Sequence, residues 1–181
     1  MLENLDWQDG NVSIPGVYEE AYCIPKSDIT AWPTLPAAPA SAADACTYTG
    51  AFTLEALKTW KKINHIDGKS SVTAEVQGEP RSQTFLNKAT FKTSLTTEEA
   101  TAWAKYVNNS NMVFVVREKN SGKWRLLGNE MFNTLTKPSL TLGGEPTSER
   151  GLTIEIEVTD SIPIPFYPGS IMTDDGDVAI I

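Results

Sequence analysis

Apolar and polar positions alternate with period two over much of this chain, which is the signature of half-buried β-strands. The clearest run is 152–158, where Leu152, Ile154, Ile156 and Val158 fall on one side and Thr153, Glu155 and Glu157 on the other. A second run begins at Phe85. It sets Ala89, Phe91 and Leu95 against Lys88, Thr90, Lys92 and Ser94, and Val72, Ala74 and Val76 alternate with Thr73, Glu75 and Gln77 just before it. Gly78-Glu79-Pro80-Arg81 between them predicts a chain reversal, with Pro80 keeping the tip out of any ladder. Met112–Val116 is continuously apolar, as expected of a strand buried on both faces. Asn120-Ser121-Gly122 then predicts a turn into a returning strand from Lys123 to Gly128.

One segment has helical period. Ala100, Trp103, Ala104 and Val107 recur at i, i+3, i+4 and i+7 and make one apolar stripe. Thr96-Thr97-Glu98-Glu99 ahead of it predicts Thr96 as N-cap with Glu99 at N3, and Asn108-Asn109 predicts the end. Trp103 is expected to lie buried against a sheet.

Other segments read less regularly. Residues 12–29 predict one or two short strands interrupted by Pro15, Gly16 and Pro25. Residues 31–47, with Pro33, Pro36 and Pro39 among Ala and Ser, predict an extended loop or arm, either mobile or ordered on a neighbouring subunit. Residues 52–66 fit both periods; a strand is preferred because Asp67-Gly68 is a hairpin-type turn leading into the next alternating run. Leu140 and Leu142 precede a turn at Gly143–Pro146, Pro163, Pro165 and Pro168 end regular pairing, and 172–181 reads as an acidic flexible tail. Many strands, one central helix and more strands make the expected fold mainly β: an antiparallel β-sandwich or partly open barrel with one flanking α-helix, formed by 1–181 as a single structural domain.

Composition fits this picture. The 181 residues carry 40% hydrophobic and 21% charged side chains, and no apolar stretch approaches the roughly 20 residues of a spanning helix. The first residues are acidic and have no apolar core of a secretory signal, so one soluble, cytoplasmically made domain is expected. Net charge is −8, which argues against a dedicated nucleic-acid binder. The charge is unevenly spread: residues 1–56 sum to −7, 57–125 to +6 and 126–181 to −7. Such blocks are either a solvated surface or a basic centre complementing acidic ends of other copies.

Candidate chemistry is sparse. His65 is the single histidine, placed before a turn, and Cys23 and Cys46 lie 23 residues apart without a CxxC pair, so two free thiols are expected. Glu98 and Glu99 suit a helix's first turn, Glu155 and Glu157 the polar side of a strand, and Glu19-Glu20 stand beside one another without a partner motif. Asp174-Asp175-Gly176-Asp177 has the Asp-x-Asp spacing of a calcium loop but no glutamate at the required distance. No catalytic residue, cofactor site or metal site is expected, and hence no enzyme.

A succession of patterns does carry a resemblance. KTWKKI, GKSSVTAEVQGE and SQTFLNKATFKTSL are followed by the Glu-rich helix ending Val-Asn-Asn, by MVFVVREKNSGKWRLLGNE, and by GGEPTSERGLTIEIEV with its proline-rich end. Over roughly residues 50–168 this order resembles the tail tube (major tail) proteins of long-tailed bacteriophages, particularly those of gut Bacteroidales phages and prophages. The resemblance implies a sandwich or barrel core with a flanking helix, closing into hexameric rings whose adjoining sheets form an inner β-barrel. It implies stacked rings in the virion tail, assembled from copies made in the bacterial cytoplasm. The implied partners are further copies, a tape measure protein and other tail proteins, with DNA passing down an acidic lumen without sequence-specific binding. Two other classes stay open: a tail terminator, head–tail adaptor or capsid decoration protein, and a β-sandwich that binds a ligand or carbohydrate through tryptophans.

Overall fold

A computed structural model describes residues 4–6, 9–145 and 147–178. Its strands are β1 (Val17–Pro25), β2 (Ile29–Ala31), β3 (Thr53–Leu54), β4 (Lys61–Asn64), β5 (Ser71–Gln77) and β6 (Thr84–Thr93). After helix α1 (Glu98–Val107) come β7 (Met112–Glu118), β8 (Trp124–Leu127), β9 (Leu135–Thr141), β10 (Gly151–Asp160), β11 (Phe166–Tyr167), β12 (Ile171–Thr173) and β13 (Gly176–Val178). Two antiparallel sheets dominate, ordered β11-β8-β7-β1-β4 and β5-β6-β10-β9, and neither closes into a barrel.

The sheets pack face to face. Alternate residues of β1 and β7 (Ala21, Cys23, Met112, Phe114, Val116) meet Ala89, Phe91, Leu152, Ile154 and Ile156 of the second sheet, all buried. Each large side chain so buried contributes about 1.5–3 kcal/mol. The intervening residues of the first sheet face a further layer: Tyr22, Ile24, Val113, Val115, Trp124 and Leu126 are buried with Trp60, Tyr167 and Ile171. Phe52 sits at the centre of that layer, 5.2 Å from Trp32, 5.3 Å from Trp60 and 5.1 Å from Tyr167 between ring centroids. Being covered on both faces is why Met112–Val116 is apolar without alternation. Cys23 and Cys46 are both free thiols.

Several expectations need correction. The helix is capped by Thr97 rather than Thr96: Thr97 stands in extended backbone directly before Glu98, and its hydroxyl accepts from the Ala100 N–H. Its end, Asn108, stays right-handed, and Ser110 satisfies two last-turn carbonyls, its hydroxyl donating to Tyr106 and its N–H to Val107. The stripe does face the core, but Trp103 is half-buried, since clefts open on either side of its ring. Residues 52–66 are no continuous strand: a turn at 55–58, with Leu57 at φ 65°, separates β3 from β4. Asp67-Gly68 is a turn but not a hairpin, because β4 pairs with β1 while β5 pairs with β6, so the turn carries the chain between sheets. Leu95 lies beyond the end of β6 and is exposed. In the stretch 31–47, Trp32 packs against Phe52 and Thr34 is bridged to Thr49. Residues 172–178 belong to the β12–β13 hairpin rather than a flexible tail, anchored by buried Ile171; 179–181 fall outside the described residues.

Candidate assembly surface

The second sheet has its outer face bare. Ser71, Thr73, Glu75 and Gln77 of β5 lie beside Thr84, Leu86, Lys88, Thr90 and Lys92 of β6, in the register Thr73↔Lys88 and Ser71↔Thr90. Thr153, Glu155, Glu157 and Thr159 of β10 continue the face, with Leu135, Lys137, Ser139 and Thr141 of β9 at its far edge. The surface is therefore rich in hydroxyls, and its three glutamates match its three lysines. Lys88 bonds Glu75 at 2.6 Å and Lys137 bonds Glu157 at 3.1 Å. It is neutral rather than acidic. Gln77 ties the tip of β5 across to Thr159 at 2.9 Å, so the β5–β6 hairpin is braced against β10.

Both edge strands of this sheet, β5 and β9, have one partner each. Large apolar side chains stand exposed along β9 and the loops on either side of it: Met131, Phe132, Leu135, Leu140 and Leu142. Pro138 sits mid-strand in β9, which a sheet tolerates only at an edge. The β5–β6 connection reverses where expected, with Gly78 at φ 95° and Arg81 at φ 76°.

The unequal charge blocks find partners within the chain. Lys58 pairs with Asp28, Lys61 with Asp174, Lys62 with Glu20, and Lys69 and Lys92 with the one carboxylate of Glu149. Those two lysines hold Glu149 down to about 2. Pairing of β4 with β1, and its closeness to the β12–β13 hairpin, bring the basic centre to the acidic ends of the same chain. Within the single chain, Lys58, Lys61 and Lys62 are thus each paired while remaining about half exposed.

Chemistry-bearing side chains have structural places. His65 is 5% exposed, stacked on Phe91 with centroids 5.1 Å apart, and neither ring nitrogen has a hydrogen-bond partner of normal geometry. Cys23 is buried, which pushes its thiol up to about 12, Trp103 pulling weakly the other way. Trp60 and Trp124 are fully buried, whereas Trp32 and Trp103 pack on the cores with part of each ring exposed. The Glu155 and Glu157 side chains share the bare sheet face, and Glu98 and Glu99 occupy the first helical turn. Asp174 of the acidic tail bonds Lys61 and Thr59. Among the described residues, no three His, Cys, Asp or Glu gather where they could hold a metal ion, and no helix is long and apolar enough to cross a membrane.

Sequence reading missed one polar cluster. Asp160 is buried at the end of β10; one oxygen accepts from the Ser161 N–H at 2.6 Å and the Ile162 N–H at 3.3 Å, and the other has no partner. Buried Asn87 donates to the Ile162 carbonyl and accepts from Ile164 N–H. Tyr48 is pushed up to about 12 by burial and then by Asp160. Together these residues fix the proline-rich passage from the second sheet to the first. An Asp-Ser pair ending an alternating strand was the available signal, since Asp bonds backbone N–H groups just ahead of it. Compared with family models, curated proteins and solved structures, the chain matches none.

Proposed function

We propose that this chain is a virion structural subunit of the tail-tube type, which joins copies of itself into stacked rings around a conduit for phage DNA. The observation that carries the reading is the second sheet: bare on one face, with a free strand at each edge. Setting β9 of one copy beside β5 of the next would continue the sheet around a ring, and exposed Leu135 and Val76 at those edges would gain cover. The inner wall would then be hydroxyl-rich and charge-balanced, so a sliding polyanion would meet no cationic patch to hold it. Tape measure and other tail proteins would be the further partners.

Pro138 favours a second reading, because it leaves β9 one donor short for pairing across that edge. In that reading the chain is a terminator, adaptor or decoration protein docked through side chains. Negative-stain electron microscopy of the purified full chain tests both. Rings that stack into tubes are expected of a tube subunit; rings of fixed height point to the second reading, and a persistent monomer overturns both.

A further inference from the structure

The edge of the first sheet at β4 has an opening, and the chain carries a segment that matches it. Successive residues of a strand direct their backbone groups to opposite neighbours. His65 N–H donates inward to Glu19 on β1, whereas Trp60 N–H donates outward to Met172 and Ile66 N–H outward to Lys92. Lys62 and Asn64, which lie between those two outward bonds, therefore present N–H and C=O to the open side. Beside them is a cleft of about 260 Å³ floored by Ile63, Trp103, Leu152 and Ile154, with exposed Leu95 at its mouth.

Every described residue before Val17 is exposed and in no helix or strand. Val12 is 80% and Ile14 52% exposed, and their i, i+2 spacing puts both on one face of an extended segment. Residues 1–16 carry Glu3, Asp6 and Asp9 and no Lys or Arg. The β4 edge is the opposite: Lys58, Lys61 and Lys62 keep 46%, 57% and 48% side-chain exposure while holding their own partners. An ammonium has three donors, so each can take a second carboxylate.

We infer that the segment around Val12–Ile14 of one copy adds as a short strand to the Lys62–Asn64 edge of a second copy, with Val12 and Ile14 entering the cleft beside Trp103. The acceptor is a second copy because the chain's own arm is held elsewhere. Ile14 N–H donates to the Asn120 side chain and Gly16 C=O accepts from Lys119, on the β7 side of β1 and away from β4. This deepens the self-assembly reading and rests on it for the identity of the partner.

The contact is heterologous, so arm and edge can be disabled separately in the full chain. Val12→Asp with Ile14→Asp removes the donor. Asn64→Pro deletes one outward N–H at an edge, where proline is tolerated, and Leu95→Asp places a charge at the cleft mouth without touching the core. By light scattering, the wild type should associate, each variant alone should be monomeric, and a mixture of an arm variant with an edge variant should give a heterodimer. A labelled peptide of residues 9–16 should bind the wild-type chain, and its Val12→Asp, Ile14→Asp version at least about tenfold more weakly, a loss of ~1.4 kcal/mol. If the wild type ignores the peptide, or arm and edge variants associate as it does, the inference is wrong even where rings form. Chains that pair through the arm yet show no rings by microscopy would instead overturn the tube reading alone.

Discussion

His65 lies flat against Phe91 with neither nitrogen in a hydrogen bond of normal geometry, an imidazole used as a small aromatic plug between the sheets. Burial lowers its pKa; the Ile66 backbone, Asp67 and Glu19 pull the other way without reversing it, and Lys119 adds to the lowering. The folded state thus binds fewer protons than the unfolded chain. Stability is full above the unfolded value of about 6.5 and falls as the pH drops through it towards the folded value. His65→Phe should remove that slope and stabilise the chain by about 1–2 kcal/mol, since two buried orphan nitrogens disappear. Urea melts between pH 5 and 7.5 measure both effects; an unchanged slope in the variant would assign the pH dependence to other groups.

Gly151 opens β10 at φ 142°, and a Cβ there would stand 2.0 Å from the Thr93 carbonyl oxygen. Neither the backbone nor that oxygen can yield without breaking the pairing of β10 with β6. Gly151→Ala should therefore cost about 2–4 kcal/mol, a strained conformation plus a backbone clash. Gly144→Ala in the preceding turn, where a Cβ meets nothing, is the control and should be silent in the same melts.

Trp103→Ala should cost about 2–3 kcal/mol rather than the 3–5 kcal/mol of a fully buried aromatic, because half of the ring already borders open clefts. It should also raise the reactivity of the Cys23 thiol by uncovering it. A thiol reagent followed against time, alongside denaturant melts, reads both; a protected Cys23 in a destabilised variant would show that the ring is not its cover.

Reversing Lys58, Lys61 and Lys62 to Glu should destabilise the single chain by about 1–3 kcal/mol, since three exposed pairs of up to about 1 kcal/mol each become repulsions. The loss should shrink at ~1 M salt, where the Debye length is about 3 Å. If the monomer is unaffected and only its association changes, the in-chain pairs are not the ones that matter.

Replacing Gly78–Gln83 by Asn-Gly should leave the chain folded, because Gln77 and Thr84 face one another and a two-residue turn closes that register. Under the tube reading the shortened hairpin should abolish stacking in micrographs. Normal tubes would rule the hairpin tip out as a contact.

How far the sequence could be read depended on how local each signal was. Alternation at 152–158 and the stripe from Ala100 to Val107 were legible because burial there repeats with the period of the element itself. Residues 52–66 were not, because Phe52, Leu54 and Trp60 serve one layer and Ile63 another, so no single period describes them. Asp67-Gly68 looked like a hairpin because its residues specify a reversal but say nothing of which sheet receives the next strand. The pairing of Lys58, Lys61 and Lys62 was not legible, because their partners Asp28, Asp174 and Glu20 are far away in sequence. The bare face of the second sheet was legible as polar positions, but its neutrality appeared only once β6, β9 and β10 were aligned.

The aromatic layer on the outer side of the first sheet has a kinetic consequence. Tyr22, Ile24, Val113 and Val115 are covered partly by Tyr167 and Ile171, which a ribosome delivers more than 140 residues after Ile24. At roughly 5–20 residues per second, the stretch from Val115 to Tyr167 leaves that greasy sheet face uncovered for roughly 3–10 seconds after its strands are made. Folding is thus timed by the last strands rather than the first, and a chain still being made has no finished surface with which to recruit its neighbours.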